Sequence, residues 1–168
     1  VKAAGATVEM IRDSDQYVSL SERARIIRSS EADFMISIHN NAVSSYASQR
    51  KVRGPLSFFT YGHQLELAWN IYNYLPRIRS LDPTPTPVRQ RAFRVTRKAT
   101  HMPGVLVECL FLSHPEDEML LLNPAFLDTL AAEIYKGLVA TLSSREEGEH
   151  ERVTFATNKY FIQKRFPV

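Results

Sequence analysis

Apolar and polar positions change their period several times along the chain, and each change marks an element. Val1 to Gly5 reads as the end of a helix and Ala6 to Ile11 as strand-like, so the chain is expected to begin inside a domain. Ser19-Leu-Ser-Glu22 has the spacing of a capping box, in which a serine hydroxyl accepts a backbone amide and the glutamate reaches back. A helix from Leu20 to Glu31 should follow, with Leu20, Ala24 and Ile27 on one stripe and Arg23, Arg25 and Arg28 elsewhere. Phe34-Met-Ile-Ser-Ile38 is an almost continuous apolar run of strand length that stops at His39-Asn-Asn41. Such a run predicts a strand covered on both faces.

Gly54 to Tyr61 predicts another strand, and Gln64 to Arg79 a helix carrying Leu65, Ala68, Trp69, Tyr72 and Leu75 at helical spacing. Asp82-Pro-Thr-Pro-Thr-Pro87 reads as a stiff connector, because prolines remove amide donors and fix φ. Ala92 to Val95 reads as extended, and Gly104-Val-Leu-Val-Glu108 repeats the earlier pattern of an apolar run closed by a polar residue. Ser113-x-x-Glu116 has capping-box spacing, and Asn123-Pro124 places a cap residue before proline at the first helical position. The helix from there to Leu142 presents Leu127, Leu130, Ile134 and Leu138 on one face.

Alternating strands and helices point to an α/β sandwich with a largely parallel central sheet flanked by helices on both faces. Residues 1–142 are expected to form the domain, and residues 143–168 a charged linker and tail. No stretch approaches the roughly 18 apolar residues of a membrane-spanning helix. Cys109 is the single cysteine, so no internal disulfide forms, and a buried hydrophobe is its ordinary role.

Charge is unevenly placed. Arg50 to His101 carries ten Lys/Arg against two Asp/Glu, although the whole chain is only +3. A basic stretch of this kind is either a solvated face or an attraction for an anionic polymer or carboxylate-bearing substrate. No zinc-finger, helix-turn-helix or RNA-binding signature accompanies it, so nucleic acid is not an expected partner.

In open α/β sheets the functional crevice lies beyond the carboxyl ends of the strands, where His39 and Glu108 fall. A carboxylate beside Val105, Leu106 and Val107 is costly to bury alone, so Glu108 is a general acid/base candidate. The bland alternatives are emergence into solvent or an ion pair with Arg97. His39 is a zinc-ligand candidate or a structural histidine, since catalytic zinc takes three protein ligands and no HExxH or Cys pair is present. The absence of G-x-S-x-G argues against a serine nucleophile, and the scattered glycines against a phosphate-binding loop.

Five stretches share a resemblance. They are Gly5-Ala-Thr-Val-Glu-Met-Ile-Arg12-Asp-Ser-Asp15, Val18-Ser-Leu-Ser-Glu-Arg23, Ala32-Asp-Phe-Met-Ile-Ser-Ile-His39-Asn-Asn41-Ala42, Ala92-Phe-Arg-Val-Thr-Arg97, and Met102-Pro-Gly-Val-Leu-Val-Glu108-Cys-Leu-Phe-Leu-Ser-His-Pro115. In order and spacing they resemble the zinc-dependent N-acetylmuramoyl-L-alanine amidases, the amidase type 3 group. The resemblance implies Zn2+ held by two histidines and a glutamate, with a second glutamate acting on water. His39 matches the second histidine ligand and Glu108 the catalytic glutamate.

The first histidine and the ligand glutamate have no counterpart and are expected upstream of Val1. Asn41 and Arg97 are the substrate-binding candidates. Leu110 stands where the family usually has glycine, which would narrow the site or shift the backbone, and Ser113-His-Pro115 replaces Ser-Asn-Pro. What the resemblance implies is hydrolysis of the amide between N-acetylmuramic acid and L-alanine in peptidoglycan, outside the cytoplasm, by a monomer. Anionic envelope polymers are a further expected partner. The alternative is a catalytically incomplete amidase fold that only binds cell-wall glycan.

Overall fold

Ser19 starts the first helix as its spacing predicts: its Oγ accepts from the Glu22 amide at 3.1 Å. The second half of the capping box does not form, because the Glu22 carboxylate turns to the Arg25 guanidinium instead. The computed structural model describes residues 1–44, 52–75 and 86–146. Within them the helices are α1 (Leu20–Ser29), α2 (Leu65–Tyr74), α3 (Arg94–Lys98), α4 (Pro115–Leu121) and α5 (Pro124–Glu146). The strands are β1 (Met35–Asn41), β2 (Leu56–Phe59), β3 (Val88–Gln90) and β4 (Gly104–Phe111).

The strands form one sheet in the order β1-β4-β2-β3. β1 runs parallel to β4 and β2 parallel to β3, while β2 and β4 are antiparallel, so the sheet is mostly parallel. β4 lies inside it and is buried along almost its whole length. Its alternate residues feed two cores, as strand geometry requires. Val105, Val107 and Cys109 pack with Leu67, Ala68 and Ile71 of α2 and Leu130, Ile134 and Leu138 of α5. On the opposite face, Leu106 packs with Met35, Leu56 and Phe58 against Ile27 of α1, Val95 of α3 and Ala99, the C-cap of α3. The sandwich with helices on both faces is thus the observed architecture.

Several local expectations are corrected. β1 is not covered on both faces: among the described residues it is an edge strand paired only with β4, and Ile38 is 60% exposed. Ala6 to Ile11 forms no strand; no described strand lies beside it, and Glu9 instead accepts from Ser30 Oγ at 2.6 Å. Before it, Lys2–Ala4 make a 3-10 turn closed by Gly5 at φ 84°, a left-handed position that glycine occupies without strain. Extended structure falls on Val88–Gln90 instead of Ala92 to Val95. Arg94 opens a helix because helical spacing lets Val95 and Ala99 both reach the sheet, and packing overrides local preference.

Ser113 is not a cap. Pro115 takes the first helical position, which suits its fixed φ and missing donor, and this makes His114 the N-cap. The Ser113 hydroxyl instead accepts from the Val43 amide at 3.0 Å. Asn123 does cap α5, accepting from the Ala125 amide at 3.0 Å, and the helix runs past Leu142 to Glu146. Leu127 is 43% exposed and falls outside the buried stripe. Arg77 to Arg79 of the expected second helix, most of the proline connector and residues 147–168 lie outside the described residues.

Contact between α2 and α5 depends on Gly137. A Cβ there would stand 2.4 Å from Ile71 Cα and 2.8 Å from Ile71 N, both backbone atoms of α2. Gly137→Ala should therefore lower stability by about 1–3 kcal/mol despite alanine's better helix propensity. Urea unfolding measures this, and unchanged or higher stability would contradict such close packing.

Candidate active site

Cα register joins the two candidate residues directly: His39 on β1 stands opposite Glu108 on β4. Neighbouring strands hold paired residues on the same face, so two groups far apart in sequence become adjacent. This face is the one that carries Met35 and Leu106 and looks toward α1 and α3. Beyond Glu108 the register slips, so that Asn41 pairs with Phe111. β4 thus carries one extra residue at Cys109-Leu110, a bulge immediately after the carboxylate. The Leu110 side chain beside this bulge is buried.

Glu108 is half-buried, and its Oε2 is enclosed without any hydrogen-bond partner among the described residues. Desolvation pushes its pKa above the ordinary glutamate value. No ion pair joins it to Arg97 among the described residues, and Oε2 is closed off from solvent although the residue as a whole is partly exposed. The buried Cys109 thiol is pushed up to about 12, first by burial and then by the neighbouring Glu108 charge. It is inert as a nucleophile.

His39 is open to solvent on the strand edge, yet desolvation lowers its pKa, and the Arg23 charge from α1 lowers it further. Both effects favour the neutral imidazole, the form that can donate a lone pair to a metal. Ser37 Oγ lies 2.8 Å from Nε2. Asn41 Oδ1 accepts from the Ala42 amide at 2.8 Å. Arg97 is exposed on α3 and its side chain bonds to none of His39, Glu108 or Asn41. The structure therefore brings His39 and Glu108 together, places Asn41 two residues further along β1, and keeps Arg97 on the adjoining helix.

Ser37 and Arg23 carried no assigned role in the sequence reading. Strand alternation is the signal for Ser37, two residues from His39 on one face. Arg23 had none, since only tertiary packing sets α1 beside β1.

Among the described residues no three His, Cys, Asp or Glu side chains stand close enough to share a metal ion. What they offer is one neutral imidazole beside a carboxylate with an orphaned oxygen. That donor set fits one zinc ligand and one proton acceptor.

A family model described as N-acetylmuramoyl-L-alanine amidase matches residues 1–140. The germination-specific N-acetylmuramoyl-L-alanine amidase of Bacillus subtilis is 32% identical over 151 residues, 80% of this chain and 61% of that protein. The probable cell wall amidase LytH of Staphylococcus saprophyticus is 33% identical over 139 residues, 83% of this chain and 44% of that protein. The chain thus spans less than two thirds of either relative. Among solved structures, the CwlD amidase of Clostridioides difficile, in complex with the GerS lipoprotein, superposes with a TM-score of 0.75 at 26% identity. The alignment covers 86% of this chain and 79% of that one. AmiC2 of Nostoc punctiforme, an N-acetylmuramoyl-L-alanine amidase, gives 0.72 at 26% identity, covering 84% and 76%.

Proposed function

The chain belongs to the N-acetylmuramoyl-L-alanine amidase family, and from that premise we propose that it serves peptidoglycan hydrolysis outside the cytoplasm. The bond cut is the amide between the lactyl group of N-acetylmuramic acid and the L-alanine of the stem peptide. The register pairing of His39 with a desolvated Glu108, whose Oε2 has no hydrogen-bond partner among the described residues, is the observation that carries this reading. The product to look for is a stem peptide with a free L-alanine amino group.

His39 would be one ligand of a zinc ion. When bound, zinc supplies Lewis-acid chemistry, polarising the scissile carbonyl and acidifying the attacking water. Glu108 accepts that water's proton and delivers it to the leaving amine, and its raised pKa suits a group that must both take and release a proton near neutrality. Asn41 has its oxygen committed to Ala42, which leaves its amide N–H groups to orient substrate. Arg97, exposed and without an ion pair among the described residues, is placed to meet a substrate carboxylate.

The second reading is an amidase fold that only binds glycan; among the described residues no three His, Cys, Asp or Glu side chains could share a metal ion. The chain as it stands should accordingly hold zinc weakly, well below one ion per molecule after dialysis. Elemental analysis decides this, and tightly held stoichiometric zinc would show that the ligand set is complete.

A basic face adjoins the site. Arg91, Arg94 and Arg97 are exposed, none forms an ion pair among the described residues, and the sequence from Pro83 to Val107 contains no Asp or Glu. This face is proposed to attract anionic envelope polymers. Binding to a phosphodiester polymer should be measurable at low salt and disappear by about 1 M, where the Debye length is about 3 Å. Binding indifferent to salt would contradict it.

A further inference from the structure

Arg23 stands one helical turn before Ile27, and Ile27 packs in one cluster with Met35 at the start of β1. Only residues 30–34 join α1 to β1, so the helix runs back along the strand. The path from Ile27 back to Arg23 therefore leads from Met35 toward His39, and helical side chains lean the same way, toward their own N-terminus. One bond records that direction: Arg23 Nε donates at 2.9 Å to the carbonyl of Val18, which precedes the helix. The guanidinium thus lies at the carboxyl end of β1, close enough for its charge to act on His39.

That charge is not spent within the described residues. Among them Arg23 forms no ion pair, and Glu22 beside it gives both carboxylate oxygens to Arg25. Glu108 does not neutralise it either, for its carboxylate is shifted by burial alone. A guanidinium carries five N–H groups in a planar fork. With Nε committed to Val18, the plane is held and the Nη groups are left for a two-point contact of the kind carboxylates accept. We propose that Arg23 is a specificity-determining residue: its Nη groups bind a carboxylate of the leaving peptide while the scissile amide lies at His39 and Glu108. This rests on the amidase reading and adds to it the part of the substrate that is recognised and the residue that recognises it.

The test is binding of two probes to the whole 15N-labelled chain in zinc-free buffer at low salt, followed by 15N–1H NMR. The probes are N-acetylmuramoyl-L-alanyl-D-glutamate, which carries two carboxylates, and its uncharged diamide. Wild type should bind the diacid about 10-fold more tightly than the diamide, the scale of a charge-assisted contact. Arg23→Gln should lose most of that preference, and Arg23→Lys, which keeps the charge but not the fork, should fall between. Arg28→Gln, the same charge change on an exposed residue of α1, should keep it whole. Amide spectra of the variants should match wild type away from α1 and β1, which separates lost recognition from lost folding. A wild type that binds both probes equally, a preference undiminished in Arg23→Gln, or one lost as fully in Arg28→Gln would overturn the role of Arg23 and leave the amidase reading standing. Failure of both probes to bind would overturn the two together.

Discussion

Glu108→Gln should reduce release of stem peptides from peptidoglycan by about 100- to 10,000-fold, the usual contribution of a general acid/base. The same change should make the protein more stable at neutral pH. Glutamine keeps the shape of the side chain but cannot take a proton from water, so the chemical step loses its acceptor. The stability gain comes from burial. Glu108 has a folded pKa above the ordinary value of 4.5 because its carboxylate is desolvated.

Below that ordinary value the group is neutral in both folded and unfolded chains, and its burial carries little electrostatic penalty. As pH rises from there through the folded pKa, the unfolded chain ionises first and the native state loses stability. The glutamine variant has no such loss. Its thermal midpoint should therefore pull ahead of wild type progressively above about pH 4.5. Activity and stability moving in opposite directions separate a catalytic role from a structural one. Unchanged peptide release would remove Glu108 from the mechanism, and joint loss of release and stability would make it a structural residue.

Arg53→Met should have the largest effect on folding, about 3–5 kcal/mol, because it strands a buried charge. Asp117 is fully buried and its Oδ1 receives Arg53 Nε at 2.9 Å, while Nη2 lies 2.8 Å away. Its Oδ2 accepts the amides of Gly54 at 3.2 Å and Phe111 at 3.1 Å. One carboxylate thus ties the approach to β2, the end of β4 and the start of α4 together, three residues beyond Glu108. Removing the guanidinium leaves that carboxylate with two amide donors and, at 3.9 Å from Oδ1, only the His114 ring in place of a permanent countercharge.

Breaking the exposed Lys136–Glu133 pair, by contrast, should cost no more than about 1 kcal/mol. Urea unfolding of the two variants compares the effects directly. Replacing both partners, as Arg53→Met with Asp117→Asn, should recover much of the loss, since no unpaired charge then remains and an amide oxygen still accepts from Gly54 and Phe111. A loss below about 1 kcal/mol for Arg53→Met would mean that the buried pair contributes little to this fold.

The legible features were those set by neighbours in sequence. Ser19 and Asn123 could be read as caps because a cap needs only a hydroxyl or amide oxygen two or three residues before a free N–H. Glu108 could be read as a chemical group because it interrupts an apolar run, although β4 continues past it to Phe111. Its pairing with His39 could not be read from residue pattern, since nothing local encodes which strands are adjacent or in what register. The same limit hid β1 as an edge: a continuous apolar run looks alike at the centre and the border of a sheet. Arg53 was counted among the cations of a basic stretch, and only the fold shows that its charge is spent on Asp117 inside the protein. Ser113 misled because capping-box spacing competes with Pro115, whose own preference for the first helical position decides the start.

The site proposed around the paired His39 and Glu108 should cut the sugar-to-peptide amide. Digestion of purified peptidoglycan by the intact gene product with zinc present, followed by mass spectrometry of the released fragments, tests it most directly. Intact glycan strands and stem peptides that begin with a free L-alanine amino group are expected. New amino groups on later residues of the stem, or no released peptide at all, would contradict it.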